Sequence, residues 1–215
     1  MIWKNTIFRL LCIALLFCGV LSLPAGDMQE ILAKKQLVVA MMSQDLPPFI
    51  MAGQGGELKG YDVEIAKGVA DKLGVTLKID RSAKTFNELV DKVESGSADM
   101  ALSKLSRTLA RSSRVIFSQP YLVLHKSLIV NRLDLARRRK NIPVEDYVKR
   151  LDGTVGVLGS SSYAEYAKEM FPNAKIREYK SWNKIANDVL AGKLLCGFRD
   201  DLEVKRSMRA IPSAS

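Results

Sequence analysis

The stretch Ser103-Lys104-Leu105-Ser106-Arg107-Thr108-Leu109-Ala110-Arg111 concentrates groups suited to holding an anion. A carboxylate is best met by a fork of donors, which a guanidinium supplies together with backbone N–H groups. The stretch follows a predicted strand and precedes a predicted helical turn, where free N–H groups can face an anion. Arg111 lies one turn after Thr108, so both project near that helix start. Ser103, Ser106 and Thr108 add hydroxyls. A surface salt bridge on a short helix suits Arg111 equally well, and residue type alone does not choose between the two.

Other constellations offer less. Gly159-Ser-Ser-Ser-Tyr163 lacks the closing glycine of a G-x-S-x-G turn. His125 is the one histidine of the sequence and sits in an apolar stretch, so a Ser-His-Asp triad would have to be built on it. Without a CxxC pair or a second histidine, no metal site is expected. Gly53 to Gly60 is glycine-rich but carries no G-x-G-x-x-G opening a helix, which speaks against a nucleotide. Cys196 lies in a buried-type strand and is read as a packing residue. No catalytic residue and no cofactor is expected.

These residues need a frame. The chain has 215 residues, 47% hydrophobic and 26% charged, an ordinary globular balance. Residues 1–25 read as an export signal: Lys4 and Arg9, then an apolar run from Leu10 to Leu23, then Pro24-Ala25-Gly26. The run is short for a membrane span, which needs roughly 20 residues; an uncleaved anchor is the alternative. Removing the signal takes Cys12 and Cys18 with it and leaves Cys196, so no internal disulfide is expected. The formal net charge of +10 favours an anionic ligand or an anionic membrane surface. Nucleic acid is disfavoured by the export signal and by the lack of aromatics among the basic runs. The densest run, Arg137-Arg138-Arg139-Lys140, reads as a solvated linker face.

Hydrophobic periodicity supplies the elements. Strands are predicted over 36–42, 75–79 and 100–102, with helices over 61–73 and from Phe86 to Gly96. The order β-α-β-α-β implies a parallel sheet with helices against it. A long strand is predicted over 121–130. A second series follows: strands 154–158, 174–176 and 194–198, helices 161–170 and 182–190, and a last helix capped by Asp200. Two α/β units joined by extended chain suggest two lobes around a cleft, with ligands near the carboxyl ends of the strands.

Several ordered segments carry a resemblance to a known family. Asp45-Leu-Pro-Pro-Phe49, Gly60-Tyr-Asp-Val63, Glu94-Ser-Gly-Ser-Ala-Asp99, Thr108-Leu-Ala-Arg111 followed by Val115-Ile-Phe-Ser-Gln-Pro-Tyr121, Val155-Gly-Val-Leu-Gly-Ser-Ser-Ser162 and Gly192 to Asp200 appear in that order. From Val38 to about Arg206 the chain resembles the periplasmic amino acid-binding proteins of ABC importers, solute-binding family 3. The resemblance implies an α/β, periplasmic-binding-protein-like type II fold: lobe one at 27–128, lobe two at 129–205, and a shortened return segment at 206–215 that leaves the C-terminal part of lobe one missing. It implies a monomeric, periplasmic protein that captures an amino acid or organic acid for an inner-membrane ABC permease. Arg111 would clamp the ligand carboxylate, with Ser106 beside it and Ser162 donating from the second lobe. Asp200 would accept the ammonium, and Phe86 and Leu46 would form the side-chain wall. Ser103 and Lys104 complete the expected set. Lys104 departs from the family pattern, since it stands near the expected ammonium, and Arg199 beside Asp200 adds a second cation. Similar folds also host a dehydratase of small carboxylic acids, a regulatory domain of murein-cleaving enzymes and sensor input domains; these are the alternative expectations.

Overall fold

The computed structural model describes residues 27–210. The export signal expected over 1–25, and residues 211–215 of the expected return segment, lie outside the described residues. Two separate sheets carry the architecture.

In the first sheet, β1 (Gln36–Met42) lies between β4 (Thr76–Ala83) and β5 (Met100–Ala101), all parallel. The central position of β1 explains its unbroken apolar run. Alternate side chains pass to opposite faces of a strand, and both faces of β1 are covered. Leu37, Val39 and Met41 pack with Ile31, Val63, Ala66 and Ala70. Ala40 and Met42 pack with Phe86 and Leu89 on the other side. The first group of partners comes from α1 (Asp27–Lys34) and α2 (Tyr61–Leu73), the second from α3 (Phe86–Glu94). Between β1 and α2, β2 (Met51–Ala52) and β3 (Leu58–Lys59) form a small antiparallel hairpin. A reciprocal cap fixes the start of α3: the Thr85 hydroxyl accepts from the Glu88 N–H, while the Glu88 carboxylate accepts from the Lys84 N–H.

The second sheet has the order β6-β9-β7-β8, from β6 (Lys126–Val130), β7 (Thr154–Leu158), β8 (Lys175–Tyr179) and β9 (Cys196–Asp200). Strand β6 runs antiparallel to β9; the other pairs are parallel. On one face α7 (Ser162–Met170) covers Val155, Val157 and Phe198. On the other, α8 (Trp182–Leu190) presses Trp182 and Ile185 onto the sheet. That approach depends on Gly197, where a Cβ would come within 2.5 Å of the Ile185 side chain. The last helix, α9 (Asp201–Ala210), touches both cores: Leu202 packs against the first and Val204 belongs to the second. Among the described residues, no helix is long and apolar enough to cross a membrane.

Three expectations need correction. The strand predicted over 121–130 exists only as β6, from Lys126. Residues 121–124 form no ladder, because Tyr121 turns its hydroxyl to Asp62 and Val123 stands exposed. Since β6 pairs with β9, the second sheet begins at Lys126, slightly ahead of residue 129. The basic run is helical rather than a linker. Arg137 to Arg139 belong to α5 (Arg132–Arg139), with Lys140 just past its end; the helix start is held by Asn131 Oδ1 accepting from the Leu133 and Asp134 N–H groups. Its side chains are solvated, as its composition requires. Helices α1 and α6 (Val144–Lys149) had no predicted counterpart.

Candidate functional site

The connections leaving the strands' carboxyl ends converge on one cavity of about 520 Å³. The first sheet contributes Phe86, Lys104, Ser106 and Arg111; the second contributes Ser161, Ser162, Arg199 and Asp200. This is where the crests of parallel strands are expected to receive a ligand.

Arg111 lies in α4 (Leu109–Ser112), a single turn capped by the Thr108 hydroxyl, which accepts from the Arg111 N–H. The residue is only 3% exposed. Its Nε and Nη2 both donate to Asn87 Oδ1, at 3.3 and 2.9 Å, and its Nη1 donates to the Ser106 carbonyl at 3.1 Å. All these partners are neutral, and no ion pair engages Arg111 among the described residues. Burial lowers its pKa, partly countered by the nearby Glu165 and Tyr166. A buried cation fixed by neutral acceptors is poised for an anion.

Lys104 and Asp200 meet on the opposite wall. Lys104 Nζ donates to Asp200 Oδ2 at 3.0 Å and to Glu203 Oε1 at 3.3 Å, and the lysine side chain is 4% exposed. It also lies over the Phe49 ring, 5.7 Å from the centroid. Asp200 Oδ1 accepts from the Glu203 N–H and so caps α9. Arg199 Nε stands 3.6 Å from Asp200 Oδ2, and Arg206 pairs with Glu203 at 2.6 Å.

The backbone of Lys104 has φ +44°, in the left-handed region where a side chain is strained. Asp62, wholly buried, holds it there. The Lys104 N–H is shared between Asp62 Oδ2 at 3.2 Å and the Tyr121 oxygen at 3.0 Å, while the Tyr121 hydroxyl donates to Asp62 Oδ1 at 2.9 Å. Burial raises the Asp62 pKa against these two donors. Burial and the neighbouring carboxylate push the Tyr121 phenol up. Asp62 is placed by Gly60, whose positive φ and missing Cβ let the start of α2 close on the Phe49 carbonyl.

The structure thus brings Arg111, Ser106, Lys104, Phe86, Ser162 and Asp200 around one cavity. Two expected members stand apart. The Ser103 hydroxyl is buried and accepts from the Met42 N–H at 2.9 Å, tying the loop to β1. Leu46 pairs its backbone with Ile50 and packs beside Phe86 in the core behind the wall. Neither residue is among those lining the cavity. Ser106 turns its carbonyl, rather than a donor, to Arg111. Asn87, Tyr163, Tyr166 and Lys126 went unrecognised in the sequence. Thr85-x-x-Glu88 was the signal for Asn87, because it sets Asn87 in the first turn of α3. Lys126 lies 3.9 Å from the centre of the Tyr166 ring, whose hydroxyl donates to the Arg107 carbonyl across the cleft.

Two α/β sheets whose strand ends share one cleft define a periplasmic-binding-protein-like fold of type II. Residues 38–191 match the profile of bacterial extracellular solute-binding proteins, family 3, and the chain belongs to that family. An arginine-binding periplasmic protein of Mannheimia haemolytica is 24% identical over 163 residues, 75% of this chain and 62% of that protein. The membrane-bound lytic murein transglycosylase F of Saccharophagus degradans is 29% identical over 170 residues, 79% of this chain but 32% of that enzyme. The chain therefore spans less than two thirds of either relative. Among solved structures, an ancestral amino acid-binding protein described as a precursor of cyclohexadienyl dehydratase superposes with a TM-score of 0.70 at 25% identity, covering 86% of this chain and 80% of that one.

Proposed function

We propose that this protein is an exported solute-binding protein that captures a small carboxylate-bearing molecule, an amino acid or organic acid, for an inner-membrane ABC permease. The observation that carries the proposal is Arg111: a buried guanidinium beside the cavity, oriented by Asn87 and Ser106 and bound by no carboxylate of the described chain. A ligand carboxylate completes it. Ser162, at the first turn of α7, donates to the same group from the second sheet, because Ser161 spends its hydroxyl on the Leu158 carbonyl and leaves that helix start without a side-chain cap. Phe86 and the rings of Tyr163 and Tyr166 supply apolar wall.

In this reading residues on either side of the segment between β5 and β6 form two lobes that close on the ligand, and the protein works as a monomer in the periplasm. Capture rather than catalysis is the reading favoured by the relatives named as binding proteins.

Thermal-shift screening of the twenty amino acids and simple organic acids, followed by calorimetry on each hit, tests the proposal. Arg111→Ala is expected to lose about 2–3 kcal/mol of affinity for the best ligand, the cost of withdrawing one partner of a buried charge pair. Unchanged affinity in that variant rules out the carboxylate assignment.

A further inference from the structure

We infer that Lys104 stands in for the ammonium of a ligand, so the cleft takes a small carboxylic acid that has no α-amino group. The inference rests on the reading of the cleft as a carboxylate-binding site and narrows the ligand class within it.

An ammonium needs a carboxylate with open lone pairs. Two carboxylates line the cavity, Asp99 and Asp200. Asp99 is committed on the first sheet: Oδ1 accepts from Lys34 Nζ at 3.1 Å and Oδ2 from the Val38 N–H at 2.7 Å. Asp200 is committed on the second: Oδ1 accepts from the Glu203 N–H at 3.0 Å and Oδ2 from Lys104 Nζ at 3.0 Å. Glu203 lies behind Asp200, 1% exposed, and it too is paired, with Lys104 and Arg206. Around these two buried carboxylates stand three cations: Lys104, Arg199 and Arg206. The cluster holds no negative charge in reserve. Lys104 is equally occupied, with two of its three N–H bonds on carboxylates and its charge over Phe49.

A ligand ammonium brought here meets a net positive cluster whose carboxylate oxygens each already accept a bond. It would shed its water against the repulsion of Lys104 and Arg199, an unfavourable exchange for a charged group. A carboxylate brought to Arg111 meets the reverse situation. The lining supports the same polarity, since Lys104, Arg107, Arg111, Lys126 and Arg199 face only the two engaged acids. The matched chemistry is a carboxylic acid with hydrogen, hydroxyl or oxo in place of the amino group.

Calorimetry with matched probe pairs tests this on the full chain: L-glutamate against glutarate, L-phenylalanine against 3-phenylpropanoate, and L-arginine against 5-guanidinopentanoate. The expected result is that, in every pair that binds, the acid without the amino group binds at least about tenfold more tightly than the amino acid, a difference of about 1.4 kcal/mol. Lys104→Ser, which frees Asp200, is expected to swing that preference toward the amino acid. An amino acid that binds the wild-type chain as tightly as its partner overturns the inference and leaves the carboxylate site standing, provided Arg111→Ala abolishes the binding. Binding indifferent to Arg111→Ala, or none by any probe, overturns both. A folded Lys104→Ser variant without a swing also overturns the inference. The wild-type comparison decides without the variant if Lys104→Ser does not fold.

Discussion

Lys104 Nζ lies 3.0 Å from Asp200 Oδ2, although the two residues leave different sheets and stand 96 positions apart in the chain. Both side chains are almost wholly withdrawn from solvent. The pair thus joins the two halves of the cleft through a desolvated contact that salt screens weakly. Removing Lys104 takes one donor from each of two buried carboxylates, which keep Arg199 and Arg206 beside them. Lys104→Met is expected to cost about 1.5–3 kcal/mol of folding stability, the range of hydrogen bonds to charged groups, read as a lower urea midpoint. The double variant Lys104→Met, Glu203→Gln, which leaves Asp200 beside Arg199, should recover part of that loss, and failure to recover any of it would point away from charge burial as the cause.

Asn87 is expected to act on binding through Arg111. Deleting its carboxamide in Asn87→Ala frees two guanidinium N–H groups and should weaken carboxylate binding by about 1.5–3 kcal/mol, the range of hydrogen bonds to charged groups. Asn87→Asp separates this from simple loss of structure. Its carboxylate pairs with Arg111 in place of the ligand, so calorimetry should show abolished binding while the melting temperature holds or rises.

Tyr121→Phe probes the support beneath Lys104. The hydroxyl donates to buried Asp62, and withdrawing it should cost about 1–3 kcal/mol at neutral pH. Burial raises Asp62 above its ordinary 3.8, so ionising it costs the folded state more than the unfolded chain. That cost appears as pH rises from the ordinary value through the folded one. The Tyr121→Phe penalty should therefore shrink as acid protonates Asp62, in denaturation series run from pH 7 downward.

Asp80 has the opposite sign. Its hydrogen bonds to Lys92, at 2.8 Å, and to Ser82 lower its pKa to about 2 from the ordinary 3.8. The stability this adds is fully present above the unfolded value and is lost as pH falls through the folded one. Asp80→Asn should flatten the acid limb of the stability curve between those two values. An unaltered limb would show that other carboxylates govern acid unfolding.

Much of this could be read in advance because periodicity reports burial. The unbroken run from Leu37 to Met42 belongs to a strand covered on both faces, and the stripe Val63, Ala66, Ala70 to a helix covered on one. Arg111 was singled out by its place after a strand, yet residue type alone left it between an anion clamp and a surface salt bridge; its burial beside the cavity is what the fold adds. Leu46 and Ser103 were not separable from the cavity by type, since a wall and the core behind it use the same residues. The nearness of Lys104 to Asp200 came through the family resemblance alone: it depends on how two sheets approach each other, which no local pattern encodes. The segment 121–124 misled because β-type residues there had no neighbouring strand to pair with, and strand propensity expresses packing against a neighbour.

The cavity wall is made largely from connections that follow strands, while each sheet keeps a separate core beneath it. Leu89 and Ile185 can stay as they are while Ser106 and Ser162 change, whereas Lys104 and Asp200 also tie the two sheets together. Exchanges at these two serines can therefore alter the cavity wall without unsettling the scaffold. A cavity of different lining needs a change only in this thin layer.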